Sequence, residues 1–281
     1  MKILVTGGAG FIGTNLISKL VEKHTVVSLD NYEIGSKKNH IEGVLYIEGD
    51  VVNIDELLKN DFDLCFHLAA LSRIQPSFED PKETFRCNTI GVQNMLDWAK
   101  KNNTKVVYAG SSSRHHNPYQ SPYALYKYIG EEICKMYRKV YQMDIEIVRF
   151  YNVYGPHEII DGDWAAVIGI WRKQVRDGQK ITIVGDGSQK RDFTHVQDII
   201  DGIILVGYNN EKHEDAWELG TGINYSINEV YELFKNKFGV DCINLPEQSG
   251  NYRETLRENN DMIDRLGWTP KDRLKEYIQS L

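Results

Sequence analysis

The sequence predicts an α/β fold, a doubly wound parallel sheet carrying a smaller C-terminal α/β lobe. Short apolar runs alternate with amphipathic stretches through the first half, the pattern that puts helices on both faces of a parallel sheet. A glycine-rich turn stands directly after the first run and opens the first helical stretch. Beyond residue 150 the rhythm breaks into irregular segments. With 281 residues, 41% of them hydrophobic and 26% charged, the chain has a globular composition and enough length to bury a substantial core.

Taken in order, Lys2 to Thr6, Thr25 to Leu29, Leu45 to Ile47, Leu64 to Leu68, Lys105 to Ala109 and Ile145 to Arg149 read as strands. Between them Phe11 to Lys23, Ile54 to Leu58, Thr84 to Asn102 and Pro122 to Tyr141 read as helices, with apolar residues spaced near 3.6. After Tyr151 the reading is a loop over Asn152 to Gly162, a helix over Ala165 to Asp177 and a strand over Ile181 to Val184. Helices follow over Val196 to Tyr208, Ile227 to Phe238 and from Leu274. The expected division is a first domain over 1–150, with 193–210 returning to it, and a second over 151–281.

A net charge of −7 argues against nucleic acid or an anionic membrane as partner. No apolar run reaches the roughly 18 residues of a membrane span, and the first residues read as a strand rather than a signal peptide, so the expected location is the cytoplasm. Cys65, Cys87, Cys134 and Cys242 form no C-x-x-C pair, which argues against disulfides and a zinc site.

Gly7, Gly10 and Gly13 lie where a tight turn and a close backbone approach need missing side chains, and the free N–H groups of a helix start attract a pyrophosphate. Asp30 ends the second strand, where a carboxylate can accept from the adenosine ribose hydroxyls. Its charge disfavours a 2′-phosphate, and no arginine follows it, so the cofactor read from the sequence is NAD in a Rossmann domain. Asp50-Val51, after the third strand, is placed to hold the adenine amino group.

Tyr123 and Lys127 stand four apart on a helix signalled by Ser121 as cap and Pro122 in its first turn. The ammonium is expected to favour the phenolate, giving a general acid/base beside a hydride acceptor. Tyr208/Lys212 and Tyr231/Lys235 share the spacing. What selects Tyr123 is its place after the strand whose carboxyl end carries Gly110-Ser111-Ser112-Ser113, the edge where ligands bind in such folds.

These residues resemble the extended branch of the short-chain dehydrogenase/reductases, and within it the nucleotide-sugar epimerases and dehydratases. The resemblance includes His67-Leu-Ala-Ala70, Asn88, Arg149-Phe-Tyr-Asn-Val-Tyr-Gly-Pro156, Ala165-Ala-Val-Ile168, Gly185-Asp-Gly187 and Arg191-Asp-Phe-Thr-His-Val196. It implies that Ser111 is the hydroxyl partner of Tyr123 and that Lys127 also holds the nicotinamide ribose. It further implies NAD contacts at Phe11, Ile12, Asn31, Leu68, Ala69, Ala70, Asn88 and Tyr151. Asn152 would meet the sugar nucleotide's phosphates, Ala166 and Val167 would line the nucleotide pocket, Arg191 would neutralise the diphosphate, and Ser72, Ser112 and Ser113 would meet the sugar. A homodimer through a four-helix bundle is implied as well, built from the helix over Thr84 to Asn102 and the one bearing Tyr126, Tyr128, Tyr137 and Tyr141.

Members that dehydrate or decarboxylate the sugar carry acidic residues just after the catalytic hydroxyl; here those places are Ser112 and Ser113. Simple oxidation and reduction at C4 is left, and the chain looks like UDP-glucose and UDP-N-acetylglucosamine 4-epimerases. An epimerase/reductase or dehydratase of the same family and, outside enzymes, an NAD-binding regulatory module are the alternatives. Three departures bear on the sugar: Arg114-His115-His116 replaces Val-Tyr-Gly, nine residues separate Ser113 from Tyr123, and Gln248 stands where an arginine is expected, with Arg253 as its candidate substitute. His115 and His116 lack a spaced third ligand and are expected to contact substrate rather than metal.

Overall fold

The computed structural model describes residues 1–59 and 61–281. The strands are β1 (Lys2–Thr6), β2 (Thr25–Asp30), β3 (Leu45–Glu48), β4 (Leu64–His67), β5 (Lys105–Ser111), β6 (Ile145–Phe150), β7 (Asn152–Tyr154), β8 (Ile181–Val184), β9 (Lys190–His195), β10 (Trp217–Leu219), β11 (Asn224–Ser226) and β12 (Cys242–Leu245). The helices are α1 (Phe11–Leu20), α2 (Ile54–Leu57), α3 (Ile74–Glu79), α4 (Pro81–Phe85), α5 (Val92–Lys101), α6 (Pro122–Tyr141), α7 (Val167–Arg176), α8 (Val196–Tyr208), α9 (Ile227–Phe238), α10 (Asp261–Leu266) and α11 (Leu274–Ser280).

The main sheet runs β10-β6-β5-β4-β1-β2-β3, every neighbouring pair parallel. Side chains alternate across it as the two-residue period of a strand requires. Leu4 of β1 joins Met95, Trp98, Cys134 and Tyr137 of α5 and α6 on one face. Ile3 and Val5 join Leu16 and Ile17 of α1 and Ile199, Ile200 and Ile203 of α8 on the other. The order reverses at β1, whose neighbours β2 and β4 lead the chain in opposite directions, and a crevice opens there at the carboxyl ends of the strands.

A third apolar cluster, with Trp171 of α7, Ile181 and Ile183 of β8, Phe193 of β9, Phe234 of α9 and Ile278 of α11, holds the C-terminal lobe together. Four tryptophans are fully buried, and each indole N–H finds an acceptor: Trp98 on Leu58 O, Trp171 on Thr182 O, Trp217 on Glu146 and Trp268 on Asp198 O, at 2.7–3.1 Å.

Several segments differ from their sequence reading. The stretch read as one helix over Thr84 to Asn102 begins earlier, as α4 capped by Asp80, and passes through a π-helical turn over Arg86–Gly91 before α5. The extra residue of such a turn leaves the apolar spacing nearly intact, which hides it from a periodicity argument. The stretch read as loop from Asn152 opens with β7, and β10 adds the last strand to the main sheet. Strands of three residues are too short to show alternation.

Candidate active site

The glycine turn is shaped by contacts that exclude side chains. Gly7 has φ +72°, and a Cβ there would stand 2.8 Å from Ala69 N; one on Gly13 would stand 2.2 Å from Gly7 O. Gly10 caps α1 with no side-chain bond, so the first-turn N–H groups face the cleft as anion donors. Asp30 is 7% exposed and fixed by two amides, Ala9 N at 2.9 Å and Tyr32 N at 2.8 Å. Burial pushes its carboxyl upward while those amides and the His40 charge pull it back. Each oxygen keeps a lone pair for a ribose hydroxyl. This cradle, which side chains would fill, fits NAD.

Phe11, Ile12, Asn31, Asp50, Val51, Leu68, Ala69 and Ala70 continue the wall of one cleft of about 720 Å³, at the upper end for small-molecule sites. Asp50 lines it, but its carboxylate already accepts from Arg86 at 2.6 Å, Val52 N at 2.8 Å and Asn31 at 3.2 Å. Burial opposes its charge, and these partners outweigh burial and hold it below the usual carboxylate range. Asn88 is a correction. It is buried and does not line the cleft; its side chain accepts from Leu71 N at 2.9 Å and donates to Leu71 O at 2.8 Å, so it positions the loop after β4 from within the π-helical turn.

At the other end β5 delivers Ser111 to the cleft, and α6 starts sharply because the Ser121 hydroxyl accepts from Ala124 N at 3.1 Å with Pro122 in the first turn. Tyr123 Oη donates to Ser111 Oγ at 3.2 Å. Lys127, one turn further on and 4% exposed, donates to Ala109 O at 2.6 Å and sits 4.9 Å from the Tyr108 ring. Burial pushes the ammonium down to about 8, against the attraction of Glu131. Burial likewise raises the Tyr123 phenol, and the groups pulling it down are the Ser111 hydroxyl and the Arg73 guanidinium. The sequence expectation named Lys127 for that part; the ammonium is turned to the Ala109 carbonyl instead.

Beneath Ser111 lies an ionic cluster that sequence reasoning missed. Arg149, 1% exposed, donates to Glu131 at 2.7 Å, Asp215 at 2.7 Å and Glu218 at 2.9 Å. Glu131 also accepts from Ser111 N at 3.3 Å, and Glu218 accepts from Tyr151 Oη at 2.9 Å. Burial opposes the Glu218 charge, but His115 and Arg149 hold the carboxyl below its ordinary value.

The expected substrate residues Ser72, Ser112, Ser113, Asn152, Ala166, Val167 and Arg191 line the cleft, as does Tyr151. Ala166 caps α7 without a side-chain bond. Arg191 has no carboxylate within 4.0 Å among the described residues, and its Nη1 donates only to Lys190 O, at 2.8 Å. Arg253 is a correction: it is 69% exposed, turned to Asp186 at 3.4 Å and Ser188 at 3.3 Å, and does not line the cleft. The histidines are another. His115 pairs with Glu218 at 2.9 Å, which raises its pKa against the effect of burial, and His116 stacks on Tyr252 with centroids 3.9 Å apart. Neither lines the cleft. Arg73, Glu158, Gln189 and Tyr252 do, unanticipated. Arg73 had a signal, a lone charge in a run of small and apolar residues; Tyr252 had none.

The family model described as the NAD dependent epimerase/dehydratase family matches residues 3–220. Among curated relatives, a putative UDP-glucose 4-epimerase of Methanocaldococcus jannaschii is 33% identical over 99% of this chain and 96% of its own. The UDP-glucose 4-epimerase of Mycolicibacterium smegmatis is 30% identical over 99% and 96%. UDP-glucuronic acid decarboxylase 3 of Arabidopsis thaliana is 29% identical over 99% and 87%. Among solved structures, the UDP-N-acetylglucosamine 4-epimerase of Methanobrevibacter ruminantium M1, in complex with UDP-N-acetylmuramic acid, superposes with a TM-score of 0.90 at 28% identity over 99% and 96%.

Proposed function

This chain belongs to the NAD-dependent epimerase/dehydratase family, and we propose from that premise that it is a nucleotide-sugar 4-epimerase acting on a UDP-hexose. It is an NAD-dependent enzyme. Held by the Gly7–Gly13 turn, Asp30 and Lys127, NAD would supply a reversible hydride acceptor for sugar C4, with no net consumption. The observation that carries the reading is the hydrogen bond from Tyr123 to Ser111 at 3.2 Å, with buried Lys127 one turn on, in the same cleft as the glycine turn.

Tyr123 takes the proton of the C4 hydroxyl as hydride leaves and returns it when the 4-keto sugar has turned over in the site. Ser111 orients that oxygen, and Glu131 holds the Ser111 amide in place. Lys127 is the contact for the nicotinamide ribose. Residues 1–150 with 193–210 serve the cofactor: Gly7, Gly10, Phe11, Ile12 and Gly13 the pyrophosphate, Asp30 and Asn31 the ribose, Asp50 and Val51 the adenine, with Leu68, Ala69 and Ala70 along it, joined by Tyr151 from the second domain. Residues 151–281 serve the nucleotide through Asn152, Ala166, Val167 and Arg191, while Ser72, Ser112 and Ser113 face the sugar. Phe85, Met136, Val140 and Tyr141 remain exposed along α4 and α6, and they are the face for a four-helix dimer contact.

Relatives named as decarboxylases raise a second outcome, loss of a sugar carbon. Ser112 and Ser113 speak against it, since neither supplies the carboxylate acid or base that elimination chemistry uses. The test is to incubate the protein with UDP-, dTDP-, GDP- and CDP-hexoses and hexuronates and follow C4 stereochemistry by proton NMR. A C4 pair should interconvert, and Tyr123→Phe should slow it by about 10²–10⁴-fold with the thermal midpoint retained. A reduced or eliminated product, or no product from any donor, would sink the reading.

A further inference from the structure

Arg73 lines the cleft as the cap of α3, whose Ser77 Oγ accepts from Tyr123 N at 3.1 Å, and its contact with a ligand is unassigned above. It is half-buried; Nε donates to Trp164 O at 2.9 Å and Nη1 to Ser72 O at 3.0 Å, while Nη2 makes no hydrogen bond among the described residues. No carboxylate lies within 4.0 Å of the guanidinium among the described residues. The acid whose charge reaches it is Glu158, and that carboxylate is already held by Arg172 at 2.7 Å and Tyr277 at 3.1 Å. Arg73, Arg172 and Glu158 together therefore keep one net positive charge.

A nucleoside diphosphate accounts for one cation in this cleft. Arg191 projects from β9 of the C-terminal lobe, whereas Arg73 caps α3, whose Ser77 Oγ accepts from Tyr123 N, so the two cations enter the cleft from different elements and Arg73 from the one bonded to the start of α6. A partly desolvated guanidinium without a counter-ion is unfavourable unless the ligand brings one, and its planar fork matches a carboxylate. Anchored through Nε and one Nη1 hydrogen, Arg73 keeps three of its five N–H donors, including both on Nη2.

We propose that Arg73 is a specificity residue that pairs with a carboxylate on the hexose, making nucleoside-diphosphate hexuronates the preferred substrates over neutral hexoses. The inference rests on the nucleotide-sugar reading and narrows its substrate class. Carboxylate and neutral C6 hydroxymethyl groups differ at the ring position adjoining the reacting half of the sugar, within reach of a charge that also acts on Tyr123.

The experiment titrates the NAD-loaded protein by calorimetry with UDP, UDP-glucose and UDP-glucuronate, and with the thymidine series, for the wild type and Arg73→Gln. A charge-assisted pair predicts glucuronate binding roughly 10- to 100-fold tighter than glucose in the series that binds. Arg73→Gln should erase that preference and leave the free nucleoside diphosphate unchanged, which also reports an intact fold. Equal binding of the two sugars, no binding of either, or a variant that weakens the nucleoside diphosphate as much as the glucuronate would each overturn the proposal. C4 turnover measured alongside separates the two readings. A preference without any epimer overturns the epimerase and leaves the carboxylate site standing; epimerised neutral hexose without preference does the reverse.

Discussion

Replacing Arg149 by Met keeps most of the side chain's length and removes its charge. The guanidinium is 1% exposed and serves three carboxylates, of which Glu131 is 1% and Glu218 4% exposed. Breaking a buried ion pair from one side costs about 3–5 kcal/mol, because the charges left behind stay desolvated. A chain of 281 residues unfolds with an entropy of about 0.6 kcal/mol per kelvin, so the thermal midpoint should fall by about 5–8 °C at pH 8. The pH dependence has a definite sign. In the wild type the Glu218 carboxyl is held low, so its contribution is present above the unfolded carboxylate pKa and lost as pH falls. In the variant only His115 still opposes burial, so the carboxyl rises relative to the wild type and the deficit shrinks on acidification. Thermal unfolding of both proteins at pH 8 and pH 5 reads this directly. A deficit below about 2 °C, or one that grows toward pH 5, would refute the reasoning. A triple variant that also neutralises Glu131 and Glu218 as Gln should recover part of the loss.

Gly13→Ala places a Cβ 2.2 Å from Gly7 O, and re-seating the turn should cost about 1–3 kcal/mol of NAD affinity, read by cofactor titration. Asn88→Ala strands Leu71 N and O, at about 1–3 kcal/mol for each buried group, and should lower the midpoint and loosen NAD together; an unchanged midpoint argues against the positioning role. His67 is buried and pushed down to about 3, by burial first and Lys127 second. The unfolded chain therefore takes up its proton between pH 6.5 and about 3 while the fold does not, and stability drops on acidification, by about 2 kcal/mol at pH 5. His67→Gln should lose correspondingly less between pH 7 and pH 5, and equal losses in both proteins would exclude His67 as the source.

Much of the cofactor end was legible because its chemistry lives in the backbone: Gly7 and Gly13 must lack a Cβ, and Asp30 must end a strand, so residue type and position sufficed. The nearness of Tyr123 to the Gly110–Ser113 turn was legible for a different reason, since a capped helix after a strand fixes which ends meet, while the choice of Ser111 came from the resemblance. Arg149 was read only as part of a motif, because its three acidic partners come from α6, the stretch before β10 and β10 itself, far apart in sequence. The expectations for Asn88 and Arg253 came from resemblance, which carries a residue's position but not the direction its side chain takes. Tyr252 was invisible because the segment carrying it has no periodic structure at all.

The stack of His116 on Tyr252 has a bearing on how such proteins can be recombined. The reacting groups all come from the first half of the chain, yet the pocket wall beside Ser113 is completed by a segment more than a hundred residues later. A chimera joined near residue 150 would inherit its proton chemistry and dinucleotide preference from one parent. Whether the wall beside Ser113 closes would depend on whether the two parents' aromatic faces match. Exchanging the two ring-bearing segments as a pair, rather than whole halves, keeps that contact matched.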